Sequence, residues 1–270
     1  MKLAVLVTCH NRSDVTRAGI SSIIASMPPS FEWRIFAVDD GSTDDTAAAL
    51  AEFGDRVDVI CGSGTLFWAG GMRAAEHQAV AWNPDLYLWY NDDSVLDAAH
   101  VCKLIESAAV AVERRVVYVG SLCDDVGTLL YGPLTGVARN PLGFVLAGPG
   151  DTIATFNGNF VLVPRSVVEL VGGVPRGYRH GYADLVYGVR CRRAGVEIEP
   201  WAGPVGVGTS NPNKGKMFSA KLSLSERIRR CLSPFGLPLV DHFRYCRELT
   251  GVRAIYWFTR SYYRVVWPSR

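Results

Sequence analysis

The sequence is poor in the patterns that staple small domains together. Its seven cysteines (Cys9, Cys61, Cys102, Cys123, Cys191, Cys231 and Cys246) are scattered, odd in number and never form a Cys-x-x-Cys pair. That excludes a zinc site and a disulfide framework, and it fits a reducing compartment such as the cytoplasm. No run of about 18 apolar residues occurs, so no transmembrane helix is expected. Met1–Val7 is apolar, but Cys9-His10-Asn11-Arg12 follows too soon for a leader and no small-residue cleavage site is present. The segment reads as a first strand. Two phosphate-binding signatures are also missing. Ser210, not glycine, stands five residues before Gly215-Lys216, so there is no P-loop. Gly62-Ser63-Gly64-Thr65-Leu66-Phe67 carries Phe67 where a dinucleotide fingerprint needs its third glycine. Internal repeats and low-complexity tracts are absent.

What is present is a folded α/β chain. Of its 270 residues, 49% are hydrophobic and 20% charged, enough to bury a full core. Charge is unevenly spread: residues 1–213 hold 16 Lys/Arg and 23 Asp/Glu, whereas 214–270 hold 12 Lys/Arg and 3 Asp/Glu. An acidic body (1–213) with a basic, aromatic-rich helical extension (214–270) is expected. Strand and helix patterns alternate through the first half. Leu3–Thr8, Ile35–Val38, Val57–Cys61 and Leu86–Tyr90 read as strands. Ser13–Met27, the Ala47–Phe53 segment capped by Ser42 or Thr43, Gly70–Trp82 and Asp97–Glu113 read as helices. This order predicts a mostly parallel sheet with helices on both faces. Residues 118–160 read as strands and loops, Asn159–Val163 as a strand, Asp184–Ala194 as a helix and Gly203–Gly215 as turns.

Two aspartate pairs stand at the ends of apolar runs. Asp39-Asp40 follows Trp33–Val38, and Asp92-Asp93 follows Leu86–Asn91. Open α/β sheets bind ligands past the carboxyl ends of their strands. Carboxylates delivered there suit a divalent cation and a nucleotide. Adjacent acids at a buried strand's end should repel each other unless a cation joins them.

Thr8-Cys9-His10-Asn11-Arg12, Val38–Asp44, Asn91-Asp92-Asp93 and Gly181-Tyr182-Ala183-Asp184, in this order, resemble family 2 glycosyltransferases of the GT-A fold. Leu66–Arg73 and Thr155–Asn159 resemble a bacterial, rhamnosyltransferase-like branch. The resemblance covers about residues 1–210. It implies an inverting, metal-dependent transferase that moves a sugar, L-rhamnose from dTDP-rhamnose as first choice and a UDP-hexose as the alternative, onto a hydroxyl of a surface glycan or lipid-linked acceptor. By this resemblance Asp39 reads the nucleotide base with Asp40 near the ribose. Thr8, His10, Asn11, Arg12, Gly64, Trp68, Gly71, Arg73, Asn91 and Asp92 belong to the nucleotide-sugar site. Asp93 is the ligand for Mg²⁺ or Mn²⁺, and Asp184 is the catalytic base. Asn157, Asn159 and His180 face the sugar or acceptor. Val186 stands where relatives often carry a second acid.

The residue types give bland alternatives for several of these positions. Asp184 could serve as an N-cap, whose helix terminus would favour its ionised form. The start of the Gly70 helix offers amides to an anion, and Arg73 suits either a phosphate or helix packing. A nucleotidyltransferase is disfavoured, because His10-Asn11-Arg12-Ser13 replaces the glycine-rich loop expected after the first strand. A non-catalytic glycan-binding scaffold is the remaining rival. In the extension, Tyr256–Val266 interleaves aromatics with arginine. It suits peripheral contact with the inner face of a membrane, or packing on the body or on a second copy of the chain. No nucleic-acid motif accompanies it.

Overall fold

The computed structural model describes residues 1–110, 112–209, 216–219 and 221–267. The first half alternates as the sequence predicts: β1 (Lys2–Cys9), α1 (Ser13–Ala25), β2 (Glu32–Asp39), α2 (Thr46–Ala51), β3 (Val57–Cys61), α3 (Phe67–Ala81) and β4 (Leu86–Tyr90). Then follow β5 (Ser94–Leu96), α4 (Ala98–Val110), β6 (Val116–Cys123), β7 (Leu129–Tyr131), β8 (Pro133–Val137), β9 (Asn140–Leu146), β10 (Thr155–Phe156) and β11 (Phe160–Pro164). The chain continues through α5 (Arg165–Val171), α6 (Ala183–Arg193), β12 (Glu197–Gly208), α7 (Leu224–Leu232), α8 (Leu239–Thr250) and α9 (Ala254–Val266). The expected boundary at 213/214 lies outside the described residues.

The central sheet runs β3-β2-β1-β4-β11-β6-β12-β5, with β7 paired to β6; β10-β8-β9 form a second, smaller sheet. β3, β2, β1 and β4 are mutually parallel, as are β6 and β12. β11 and β5 run antiparallel to their neighbours. Strand order reverses beside β1, with β2 on one side and β4 on the other. A crevice opens at such a switch point, past the carboxyl ends of the strands. Thr8 and Asn91 are delivered to it, with Asp39 at the end of the neighbouring strand.

Alternation along the strands divides the core. Leu3, Val5 and Val7 of β1 join Ile20 and Ile23 of α1 and Leu104 and Ile105 of α4 on one face. Ala4 and Leu6 join Met72 and Ala75 of α3 and Val186 and Tyr187 of α6 on the other. Full burial of each large apolar side chain contributes about 1.5–3 kcal/mol, so both layers hold the sheet rigid beneath the crevice.

Three expectations need correction. The helix after β2 starts at Thr46, not after Ser42 or Thr43, and Ala47 is exposed. Ser42 Oγ accepts the Asn11 N–H instead, so its hydroxyl ties two loops together. Val15 of α1 faces solvent. The stretch read as turns from Gly203 is strand as far as Gly208, because register shifts around Pro204 and Gly206 absorb its Gly and Pro residues. Residues 210–215 of that reading lie outside the described residues.

Glu76 sits on the buried face of α3, where its Oε2 accepts the Val174 N–H at 2.9 Å. Burial raises its pKa from 4.5 to about 7, outweighing that hydrogen bond and the attraction of Arg73. Between these values the fold holds a proton that the unfolded chain has lost, so stability falls as pH rises from about 4.5 to about 7 and stays lowered above. Glu76→Gln removes this penalty of at most about 3 kcal/mol. Thermal unfolding across pH should show a flatter profile and a higher melting temperature at alkaline pH. An unchanged slope would exclude Glu76 as its source.

Candidate active site

A cavity of about 920 Å³ opens at the switch point, within the usual range for small-molecule sites. It is lined by Thr8, His10, Arg12, Asp40, Gly64 and Trp68 from the first half. Asn91, Asp92 and Asp93 line it from the end of β4, and Asn157, Asn159, His180 and Asp184 from the second half. Asn11, Asp39, Gly71 and Arg73 are not on its wall.

The β4 end shows how adjacent acids are tolerated. Asp92 is buried; its Oδ2 accepts the Thr16 hydroxyl at 2.6 Å, and its Oδ1 lies 3.4 Å from Arg12 Nη1. The same Arg12 nitrogen lies 3.4 Å from Asp93 Oδ2, so one guanidinium joins both carboxylates. Even so, burial raises Asp92 from 3.8 to about 6, against the pull of Arg12 and Thr16. Asp93 is more open to the cavity and accepts a long hydrogen bond from Thr209 Oγ1 at 3.4 Å. Asn91 is turned aside: its Oδ1 accepts the Trp68 indole N–H at 2.8 Å. Among the described residues no group of three His, Cys, Asp or Glu forms a ready-made metal cage. A magnesium-like ion needs only one or two carboxylates when phosphates complete its shell. Asp93, the more open of the two, fits that role; Asp92 stands behind it with both oxygens engaged by Thr16 and Arg12.

Asp40 and Asp39 hold loops. Asp40 Oδ1 accepts the Gly64 N–H and Oδ2 the Phe67 N–H, both at 2.8 Å. His10 donates from Nδ1 to the Asp40 carbonyl at 2.8 Å. Asp39 Oδ1 accepts the Ser42 N–H at 3.0 Å, closing the turn after β2. Asn11 stitches the same loops, its Oδ1 accepting the Thr43 N–H at 2.7 Å. The α3 N-terminus, expected to offer amides to an anion, is already capped. Asp40 takes Phe67 N–H, and the Arg179 carbonyl takes Ala69 N–H at 3.0 Å. Of the two alternatives for Arg73, a phosphate or helix packing, its contacts are those of packing. Its Nη1 donates to the carbonyls of Pro175 and Tyr178, both at 2.9 Å, because its turn of α3 faces that segment. Gly71 serves packing: a Cβ there would run into the Thr8 side chain. Thr8 lines the cavity, but its Oγ1 is buried on the Gly71 side and has no hydrogen-bond partner among the described residues.

Asp184 is in the first turn of α6 but is not its cap. Tyr182 occupies the cap position, in the left-handed region at φ 72°. Asp184 Oδ2 accepts the Gly158 N–H at 3.0 Å and Oδ1 the Leu185 N–H at 2.9 Å. Burial raises its pKa despite these bonds. The expected dominance of the helix terminus is thereby reversed, because desolvation outweighs the dipole. His180 is pulled down to about 4, by burial first and Arg12 second, so it is neutral at pH 7. Its ring meets Phe235 edge-on at 4.5 Å.

Several wall residues were not among the expected site residues. Tyr131 and Thr209 meet across the cavity mouth, the Tyr131 hydroxyl donating to the Thr209 carbonyl at 3.0 Å. Tyr182 stacks on Tyr245 at 4.3 Å and its hydroxyl lies 3.0 Å from His242 Nδ1. Pro234, Phe235 and Gly236, between α7 and α8, also line the cavity. The basic extension therefore builds part of the site.

Gly158 sets the spacing between two of these groups. An added Cβ would lie 2.6 Å from Trp68 Cζ2 and 3.1 Å from Asp184 Cβ. Gly158→Ala should cost about 1–3 kcal/mol and shift the tryptophan fluorescence as Trp68 leaves Asn91. Unaltered stability and spectrum would mean the Asn157–Asn159 turn yields without disturbing either neighbour.

Residues 4–147 match the family model described as Glycosyl transferase family 2. A search of curated proteins found no match. Among solved structures, the mannosyltransferase PcManGT from Pyrobaculum calidifontis, in complex with GDP-Man and Mn²⁺, is 14% identical with a TM-score of 0.54. The alignment covers 99% of this chain and 76% of that one. S. aureus TarS 1–349 in complex with UDP-GlcNAc is 15% identical with a TM-score of 0.57, covering 97% and 74% of the two chains. Both likenesses are of fold, with the central sheet and its flanking helices in the GT-A arrangement. With more than half of its length matched by the family model, the chain belongs to glycosyl transferase family 2.

Proposed function

We propose that the protein is an inverting, metal-dependent glycosyltransferase that moves a sugar from a nucleotide diphosphate to an acceptor hydroxyl. The observation that carries this reading is the sharing of one cavity by Asp184 and the Asp92–Asp93 pair. Asp184 takes the proton of the acceptor hydroxyl as its oxygen attacks the anomeric carbon. The bond from that carbon to the diphosphate oxygen breaks, and the configuration inverts. A raised pKa strengthens a carboxylate as a base, and a positioned base contributes about 10²–10⁴-fold. Asp93, with Asp92 beside it, would hold Mg²⁺ or Mn²⁺. The ion, when bound, supplies charge that neutralises the leaving diphosphate. Arg12 adds positive charge at the same place, and Asp39, at the end of β2 just outside the cavity wall, is assigned to the nucleotide base on the strength of the family resemblance.

The donor of first choice is dTDP-L-rhamnose, on the strength of the Leu66–Arg73 and Thr155–Asn159 segments. A UDP-hexose is the alternative, supported by the UDP-GlcNAc bound to the similar TarS fold. PcManGT, with GDP-Man and Mn²⁺, supports the diphosphate-and-metal chemistry without favouring either nucleotide. Asn157, Asn159 and the neutral His180 suit sugar hydroxyls, since each can donate and accept. The acceptor is a glycan or lipid-linked glycan on the cytosolic side of the cell.

Asp184→Asn keeps the outline of the side chain, loses the base and gives up one of its two backbone hydrogen bonds. Transfer should fall by roughly 10²–10⁴-fold, while calorimetry finds donor affinity nearly intact. For the wild type, kcat/KM should rise with pH along an acid limb above the ordinary carboxylate value of 3.8, since Asp184 must lose its proton first. Loss of donor binding together with the fold would make Asp184 a structural residue instead.

A further inference from the structure

The C-terminal helices carry a face that the fold does not use. The inner side of α9 packs on α8: Phe258 stacks near His242 at 5.8 Å and meets Phe243 edge-on at 5.4 Å. On the opposite side Ile255, Tyr256, Tyr263 and Trp267 follow at helical spacing, and all four are more than half exposed. Val252, just before the helix, is fully exposed and extends the stripe. Arg253, Arg260 and Arg264 run along one edge of it, all solvent-facing. From Leu249 to Arg270 the chain contains no Asp or Glu.

The patch continues towards the cavity. Leu239, Val240 and Phe243 of α8 are exposed, and α8 begins just after the Pro234–Gly236 turn that forms cavity wall. Phe235, 63% exposed, packs on His180 from that turn. Exposed apolar residues thus stand at the cavity rim, on α8 and on α9.

We infer that the α8–α9 face docks on an anionic lipid surface. Tyr and Trp are amphipathic rings suited to the headgroup level, and a row of arginines without acids complements anionic lipid. Pairing of this face with a second copy would give its arginines no acid to meet, since a two-fold interface presents the same patch from both sides and the stretch from Leu249 on holds no Asp or Glu. Insertion across a bilayer is not the mode: among the described residues no helix is long and apolar enough to span one. Docked in this way, the enzyme holds the Phe235 side of its cavity at the surface where a lipid-linked acceptor lies. The surface itself needs neither donor nor catalysis, so its test is independent of the transfer reading.

The test is flotation of the full-length, ligand-free protein with vesicles of phosphatidylcholine alone and of phosphatidylcholine mixed with phosphatidylglycerol. Binding to the mixed vesicles, weak binding to the neutral ones and release by salt are expected. Tyr263→Ser combined with Trp267→Ser, and separately Arg260→Gln combined with Arg264→Gln, should each lower partitioning by roughly tenfold or more. All four side chains are exposed, so melting temperatures should match the wild type. Absent or lipid-independent binding, or retention by both double variants, would overturn the proposal. Light scattering that shows a dimer dissociated by the same substitutions would overturn it too, in favour of a second copy as the occupant.

Discussion

Two carboxylates on consecutive residues at the end of a buried strand impose the constraint on which the site depends. Asp92 is sealed under α1 by the Thr16 hydroxyl, and Asp93 opens to the cavity. Neighbouring negative charges in a poorly solvated place demand a cation. Arg12 provides one, reaching both carboxylates from the loop after β1. One guanidinium for two carboxylates neutralises the pair only in part before any ligand arrives. On the proposed reading, a diphosphate with its metal ion would enter a place already arranged for positive charge between the acids, the kind of preorganised electrostatics that group transfer relies on.

The remaining polar groups divide between holding and meeting. Asp40, Asn11 and the Asp39 Oδ1 spend their hydrogen bonds on backbone amides of the loops after β2 and β3. Those loops fix the floor on which Thr8, Trp68 and Asp93 are displayed. Asp184 is held by amides as well, yet burial still lifts its pKa, so it is both oriented and basic. The extension completes the arrangement: Tyr182, the residue at the start of α6, stacks on Tyr245 of α8, and Phe235 closes the mouth beside His180. The position of Asp184, the proposed base, and the shape of the entrance thus share one support.

Much of this was legible in the chain because buried parallel strands leave continuous apolar runs. Leu86–Tyr90 has the bounds read from sequence, and the acids that follow it were legible as a pair by their place past the strand end. Reading failed where one residue type serves two geometries. Ser42 is a good helix cap and an equally good loop tie, and only Asn11, distant in sequence, decides between them. Arg73 suits phosphate or carbonyl partners, and the choice rests on which segment its helix turn faces. Gly and Pro in β12 look like turns because a bulged strand uses the same residues. Tyr131, Thr209 and Phe235 were illegible for a further reason: they reach the cavity through tertiary packing alone, with no local motif.

The most direct measurement is calorimetric titration of the purified protein with dTDP, UDP and GDP, each with and without Mn²⁺. Binding of dTDP or UDP that strengthens markedly with the ion is the result expected if the Asp92–Asp93 pair and Arg12 form a diphosphate–metal site. A folded protein that binds none of the three, or binds them equally without the ion, would contradict it.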